Sequence, residues 1–211
     1  MSNTAPPTRR RAMLTLGAAL GASPVSAAPP PKIVTLLGDS ITAGYGLPAQ
    51  DALPARLQAA LRRRGANVVI RGAGVSGDTT AGGLARVDFS VQADTSLAVV
   101  ALGGNDLLRG VAPSRIAANL DRIVSRLQAR RIRVLVVGIT APRSAGMAYA
   151  REFNAVFTNV AKRRQALLFP DLLAGVAGVP ALNQPDRIHP NAAGVQWIAS
   201  RLAPVVAKAV L

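Results

Sequence analysis

Five short apolar runs, separated by longer stretches of helical period, constrain this chain more than any other feature. They are Ile33-Val34-Thr35-Leu36-Leu37, Asn67-Val68-Val69-Ile70, Leu97-Ala98-Val99-Val100-Ala101, Val134-Leu135-Val136-Val137 and Ala166-Leu167-Leu168-Phe169. Each has the length of a strand and is apolar at consecutive positions, the pattern of a strand buried on both faces. Between them run helical stripes: Leu53, Leu57 and Leu61, then Ile116, Leu120, Ile123, Val124 and Leu127, then Tyr149, Phe153, Val156, Phe157 and Val160. Thr79 to Val87 reads as a shorter helix. Gly65 is placed to end the first long helix and Pro113 to open the next. A final helix starts near Asn191 and carries Val195, Ile198 and Leu202, with Pro204 expected to bend it. Strict alternation of strand and helix predicts right-handed crossovers and a five-stranded parallel sheet in a three-layer α/β/α sandwich.

The 211 residues are half hydrophobic but only 3% aromatic, so the core must be built from Ala, Val, Leu and Ile. There is no cysteine, which excludes disulfides, thiolate metal sites and a cysteine nucleophile. His189 is the only histidine, so a multi-histidine metal centre cannot be assembled. Lysine and arginine number 25 against 10 acids, a net charge of +15 that favours anionic partners or serves solubility alone. Basic residues are not interleaved with aromatic ones that would stack bases, which argues against nucleic acid.

Residues 1–27 have the order of an export signal. Arg9-Arg10-Arg11 precedes the apolar Met13 to Leu20, and Val25-Ser26-Ala27 supplies the small residues a signal peptidase needs. The apolar run is too short for a stable membrane anchor, and Thr8 to Leu14 also resembles a twin-arginine signal. Losing this leader would remove three arginines and leave a charge of about +12. Residues 28–32 then form a proline-rich spacer, and residues 33–211 a single domain, taken as monomeric by default. The expected location is the periplasm or the exterior.

All strands but the fourth deliver a distinctive polar segment at the C-terminal end, and in a parallel sheet those ends share one rim, where open α/β sheets bind ligands. The segments are Gly38-Asp39-Ser40, Gly72-Ala73-Gly74-Val75-Ser76-Gly77-Asp78, Gly103-Gly104-Asn105-Asp106 and Asp186-Arg187-Ile188-His189-Pro190. Singly each reads as an ordinary turn, and a lone histidine is commonly structural. Together they supply a hydroxyl at Ser40, an imidazole at His189 to act as its base, and a carboxylate at Asp186 to hold that imidazole. Backbone N–H groups of Ser40 and Gly77, with the Asn105 amide, are candidate donors to an oxyanion. Glycine at 77 suits a close approach or a positive φ.

In these four ordered blocks, with Ala43-Gly44-Tyr45 after the first, the chain resembles the GDSL or SGNH hydrolase family from Ile33 to the C-terminus. Gly83-Leu84-Ala85-Arg86 and Leu108-Arg109-Gly110 resemble its thioesterase I, lysophospholipase L1 and arylesterase branch. The resemblance implies the flavodoxin-like sandwich and a cofactor-free, metal-free serine esterase acting on small esters or thioesters, lipid-derived or anionic ones included. It implies Ser40 as nucleophile, His189 as base, Asp186 as orienting acid, and Ser40, Gly77 and Asn105 as the oxyanion hole. Asp39, Leu107, Leu108, Arg109 and Ile188 are expected to contact substrate, and Leu107 to Ala112 to act as a mobile lid. Two positions depart from the family pattern: Gly72 replaces a common asparagine, and Arg187 replaces a small residue and adds charge at the pocket entrance.

Two other readings compete. Gly72, Gly74 and Gly77 satisfy the dinucleotide fingerprint, but the acid that should hold the ribose is misplaced: Asp94 precedes the next strand and Asp106 lies too far beyond it. The Gly-x-Ser-x-Gly elbow of ordinary α/β-hydrolases is missing. A non-enzymatic lipid- or surface-binding module is the alternative of a different class.

Overall fold

A computed structural model describes residues 1–4 and 29–210. The export signal read over residues 1–27 falls, beyond its first four residues, outside the described ones. Among the described residues five strands, β1 (Lys32–Gly38), β2 (Val68–Gly74), β3 (Thr95–Ala101), β4 (Arg133–Val137) and β5 (Leu167–Phe169), pair in parallel in the order β2-β1-β3-β4-β5. Among the described residues seven α-helices accompany them: α1 (Ser40–Ala43), α2 (Leu53–Arg63), α3 (Thr80–Ser90), α4 (Gly104–Leu108), α5 (Pro113–Ala129), α6 (Met147–Arg163) and α7 (Ala192–Val210). No helix among the described residues is long and apolar enough to cross a membrane.

The period-two geometry of a strand divides the core in two. Leu37, Ala98, Val100, Val134 and Val136 pack against α3, α5 and α6. Their neighbours Leu36, Leu97, Val99, Leu135 and Val137 pack against α2 and α7 on the other face. Residues Ile116, Leu120, Ile123, Val124 and Leu127 of α5 are fully buried, each stabilising the fold by about 1.5–3 kcal/mol. Truncating Leu120 to alanine would cost about 2–5 kcal/mol because the rigid sheet beneath cannot collapse into the gap.

Two local readings needed correction. The second strand runs to Gly74, four residues beyond its apolar run, so Gly72 and Gly74 are strand residues at the sheet edge and not a turn. A Cβ on Gly74 would come within 2.3 Å of the Ala43 nitrogen, and one on Gly72 within 2.9 Å of Pro54. These glycines give clearance to α1 and α2, which removes the physical basis of the dinucleotide reading. The second correction concerns Gly103 to Asp106, where Gly103 has φ +124° and the chain then enters α4. The last helix, α7, continues through Pro204. Both Pro204 and Ser200, whose carbonyl loses its helical partner, are exposed, so water can replace the missing bond.

The strand order matters for function. From β1 the chain steps outward to β2 and then returns across to β3, so the connections leaving β1 and β3 diverge and open a crevice at their C-terminal ends. Ser40 follows β1 and Asn105 follows β3.

Candidate active site

Ser40 begins α1 and is 8% exposed. The preceding Asp39 caps this short helix by accepting a hydrogen bond from the Ile41 N–H at 3.1 Å. The Ser40 carbonyl accepts from the Gly44 and Tyr45 N–H groups, closing the turn behind the hydroxyl. A Cβ on Gly38 would lie 2.1 Å from the Thr42 hydroxyl, so the strand must end in glycine for the chain to fold back this tightly.

The imidazole arrives from the loop before α7. Asp186 Oδ1 accepts the backbone N–H groups of Ile188 and His189 at 2.9 and 3.0 Å, while its Oδ2 lies 2.6 Å from His189 Nδ1. The His189 Nε2 stands 2.9 Å from Ser40 Oγ, across 149 positions of sequence. Gln184 secures this loop to the serine turn: its side-chain amide donates to the Tyr45 and Pro190 carbonyls, and its backbone N–H donates to the His189 carbonyl. The Tyr45 ring lies 4.7 Å from the imidazole, centroid to centroid.

The two carboxylates beside this pair are pushed in opposite directions. Burial raises Asp39 to about 6, against the opposing hydrogen bond from Ile41. The bond to the His189 ring lowers Asp186 to about 2, helped by its two backbone donors. Asp186 therefore stays ionised at any working pH.

Ser40 opens onto a cavity of about 420 Å³ whose apolar wall includes Ile41, Leu107, Leu108, Ile139, Leu173 and Ile188. Asp39, Gly77, Asn105, Arg187 and His189 also line it. The structure thus brings together nearly all the residues singled out from the sequence. Arg109 is placed differently: it is not among the lining residues, and its guanidinium donates to the Gly77 carbonyl at 2.9 Å. Gly77 has φ +82°, a conformation that strains any other residue. The Asn105 amide, which lines the cavity, donates to the Asp78 carbonyl at 3.0 Å and has a second N–H to give. Leu107 and Val111 pack into the core and the Tyr149 hydroxyl donates to the Val111 carbonyl, so the stretch read as a mobile lid is fastened at both ends here.

Residues 36–197 match the GDSL-like Lipase/Acylhydrolase family. This chain belongs to that family. It is 36% identical to Esterase TesA of Pseudomonas aeruginosa over 176 residues, 83% of this chain and 88% of the relative. It is 34% identical to Thioesterase 1/protease 1/lysophospholipase L1 of Escherichia coli K12, over 81% of this chain and 83% of that one. The crystal structure of AlinE4, an SGNH-hydrolase family esterase, superposes with a TM-score of 0.73 at 43% identity, covering 88% of this chain and all of AlinE4.

The GDSL-like family blocks did not reveal everything that builds the site. The segment after the fourth strand, which carries no polar motif, contributes Ile139, Thr140 and Pro142 to the cavity. Leu173, Ala177 and Asn183, from the long segment after β5, close its far side. No sequence signal marks them, since apolar residues in a loop look alike whether they line a pocket or fill a core. Two supporting networks were legible only as motif letters. Arg86 donates to Asp78, Ser90 and the Ala73 and Gly38 carbonyls, joining β1 and β2 to the loop after β2. Asp106, 1% exposed, accepts from the Thr80 N–H and hydroxyl, each at 2.7 Å, and fixes the start of α3 to α4.

Proposed function

We propose that this ester-hydrolysing enzyme is an exported serine esterase that cleaves small carboxylic esters or thioesters through an acyl-enzyme on Ser40. The 2.9 Å approach of Ser40 Oγ to His189 Nε2, with Nδ1 held by Asp186, carries the proposal. His189 takes the Ser40 proton as Oγ attacks the substrate carbonyl, and Asp186 balances the imidazolium. The oxyanion accepts from the Ser40 and Gly77 N–H groups and the Asn105 amide. Collapse of this intermediate breaks the ester or thioester bond, and His189 returns the proton to the departing alcohol or thiol. Water then attacks the acyl group with His189 again as base, releasing a carboxylic acid and restoring Ser40.

The apolar lining suits an acyl chain, and the esterase and thioesterase/lysophospholipase names of the relatives support the same substrate classes. Export is supported by the basic, apolar and small-residue order of residues 1–27. Replacing Ser40 by alanine, assayed on a p-nitrophenyl ester series, a lysophospholipid and an acyl thioester, should lower kcat by roughly 10⁴–10⁶ with the thermal transition retained. Full hydrolytic activity in that variant would overturn Ser40 as the nucleophile. N-terminal sequencing of the exported protein tests the leader, with cleavage expected after Ala27.

A further inference from the structure

The edge of the sheet opposite the cavity carries a row of exposed cations. There the helices end and the strands begin, about 23 Å from Ser40 by the rise of a seven-residue strand. Exposed cations line it from one side to the other: Arg62, Arg63 and Arg64 after α2, Lys32 opening β1, Arg131 and Arg133 around the turn into β4, and Lys162 closing α6. None of these is in an ion pair among the described residues. The acids near this edge are each already matched, Asp88 by Arg126 and Arg130, Asp94 by Arg71, and Asp121 by Arg163 and Arg164.

Three further observations separate this edge from an ordinary solvated surface. Phe89, at the end of α3, is 88% exposed, and Val69 and Leu167, near the starts of β2 and β5, are 44% and 38% exposed. Between β4 and β5 the edge is hollowed into a cavity of about 260 Å³ lined by Arg131, Arg133, Gln128 and Gln165. Arg131 and Gln165 hold φ of +60° and +52° at the two helix-to-strand corners, where glycine would be the unstrained choice and where Gly65 serves at the equivalent corner after α2. A cation thus stands where its backbone is strained.

We propose that this basic edge is a docking surface for a bilayer of anionic phospholipid, held by headgroup contacts to the arginines and lysines and by shallow insertion of Phe89. Unmatched cations with protruding apolar side chains are the combination that peripheral membrane surfaces use. A lone exposed phenylalanine without neighbouring aromatic platforms offers little to stacked bases, so lipid is the better chemical match than nucleic acid. Docked this way, the cavity faces the aqueous phase, and the enzyme draws on monomeric substrates near the membrane and not on lipids still packed in it.

The test is co-sedimentation of the full chain with vesicles of phosphatidylcholine, with and without phosphatidylglycerol, at low and high salt. Wild-type protein should bind the anionic vesicles far better, and lose binding as salt rises from about 0.1 M to about 1 M. Reversing Arg63, Arg131 and Arg133 to glutamate should weaken that binding by on the order of a hundredfold. Phe89→Ser should weaken it by roughly tenfold. Both variants should hydrolyse a soluble ester at the wild-type rate. Unchanged binding in the triple variant overturns the proposal, as does loss of binding on replacing Leu108 and Ile188 at the cavity mouth instead. If Phe89→Ser binds normally while an oligonucleotide competes with vesicles, the edge is a general polyanion surface and the lipid assignment is wrong.

Discussion

Asp39 and Asp186 flank the same Ser40–His189 pair, yet the fold treats them as opposites. Asp39 sits on the turn after the interior strand β1, 4% exposed and with one hydrogen-bond donor, so burial pushes its carboxyl up to about 6. Asp186 sits on an open loop and accepts three hydrogen bonds, the shortest from His189, which hold it down to about 2. Burial without partners penalises charge, and partners without burial favour it. The nucleophile's side of the site is therefore built from rigid, sheltered backbone at some cost in stability. The base's side is a hydrogen-bonded turn whose carboxylate, Asp186, stays charged over the working range.

Breaking the better-solvated acid should have the larger catalytic effect. Asp186→Asn should lower kcat by about 10³–10⁴, because an amide does not balance an imidazolium and favours the wrong tautomer; steady-state kinetics on a p-nitrophenyl ester would show it. Asn105→Ala, on the opposite wall, should lower kcat by about 10²–10³ with a smaller change in KM, as expected for a donor that acts on the developing oxyanion.

Asp39→Asn should move stability more than rate. An aspartate whose folded pKa is raised contributes most stability below its unfolded value near 4 and loses it as pH rises through about 6. The asparagine variant should therefore be more stable than wild type at pH 8, by up to about 3 kcal/mol, with the difference vanishing below about pH 4. Denaturant unfolding at the two pH values measures this, and an equal difference at both would mean that burial of charge is not the cause. Its kcat should change by less than about tenfold, since Asp39 makes no hydrogen bond to Ser40 or His189. The smallest effect belongs to Tyr45→Ala, which removes the ring beside His189 and should cost about 0.5–1.5 kcal/mol in kcat/KM.

Where sequence reading went astray, tertiary neighbours were responsible. The second apolar run ends at Ile70, but the strand continues through Arg71 and two glycines because β1 supplies hydrogen-bond partners all the way to Gly74. Arg109, read as a substrate contact, braces the Gly77 carbonyl, a role fixed by how closely the loops after β2 and β3 approach each other. Tyr45 and Gln184 lie in plain view in the sequence, and nothing local says that one will lie against the imidazole or that the other will tie it down.

By itself the sequence determined the layers, the order of elements and the rim that carries Ser40, Gly77, Asn105, Asp186 and His189. Those features follow from apolar period and from glycines whose backbone geometry admits little else. Only the tertiary structure decided the strand order, the size and apolar lining of the cavity, the opposed charge states of its two carboxylates and the gathering of cations on the far edge. Each depends on which distant segments become neighbours, and on how much water remains between them, quantities that no local pattern encodes.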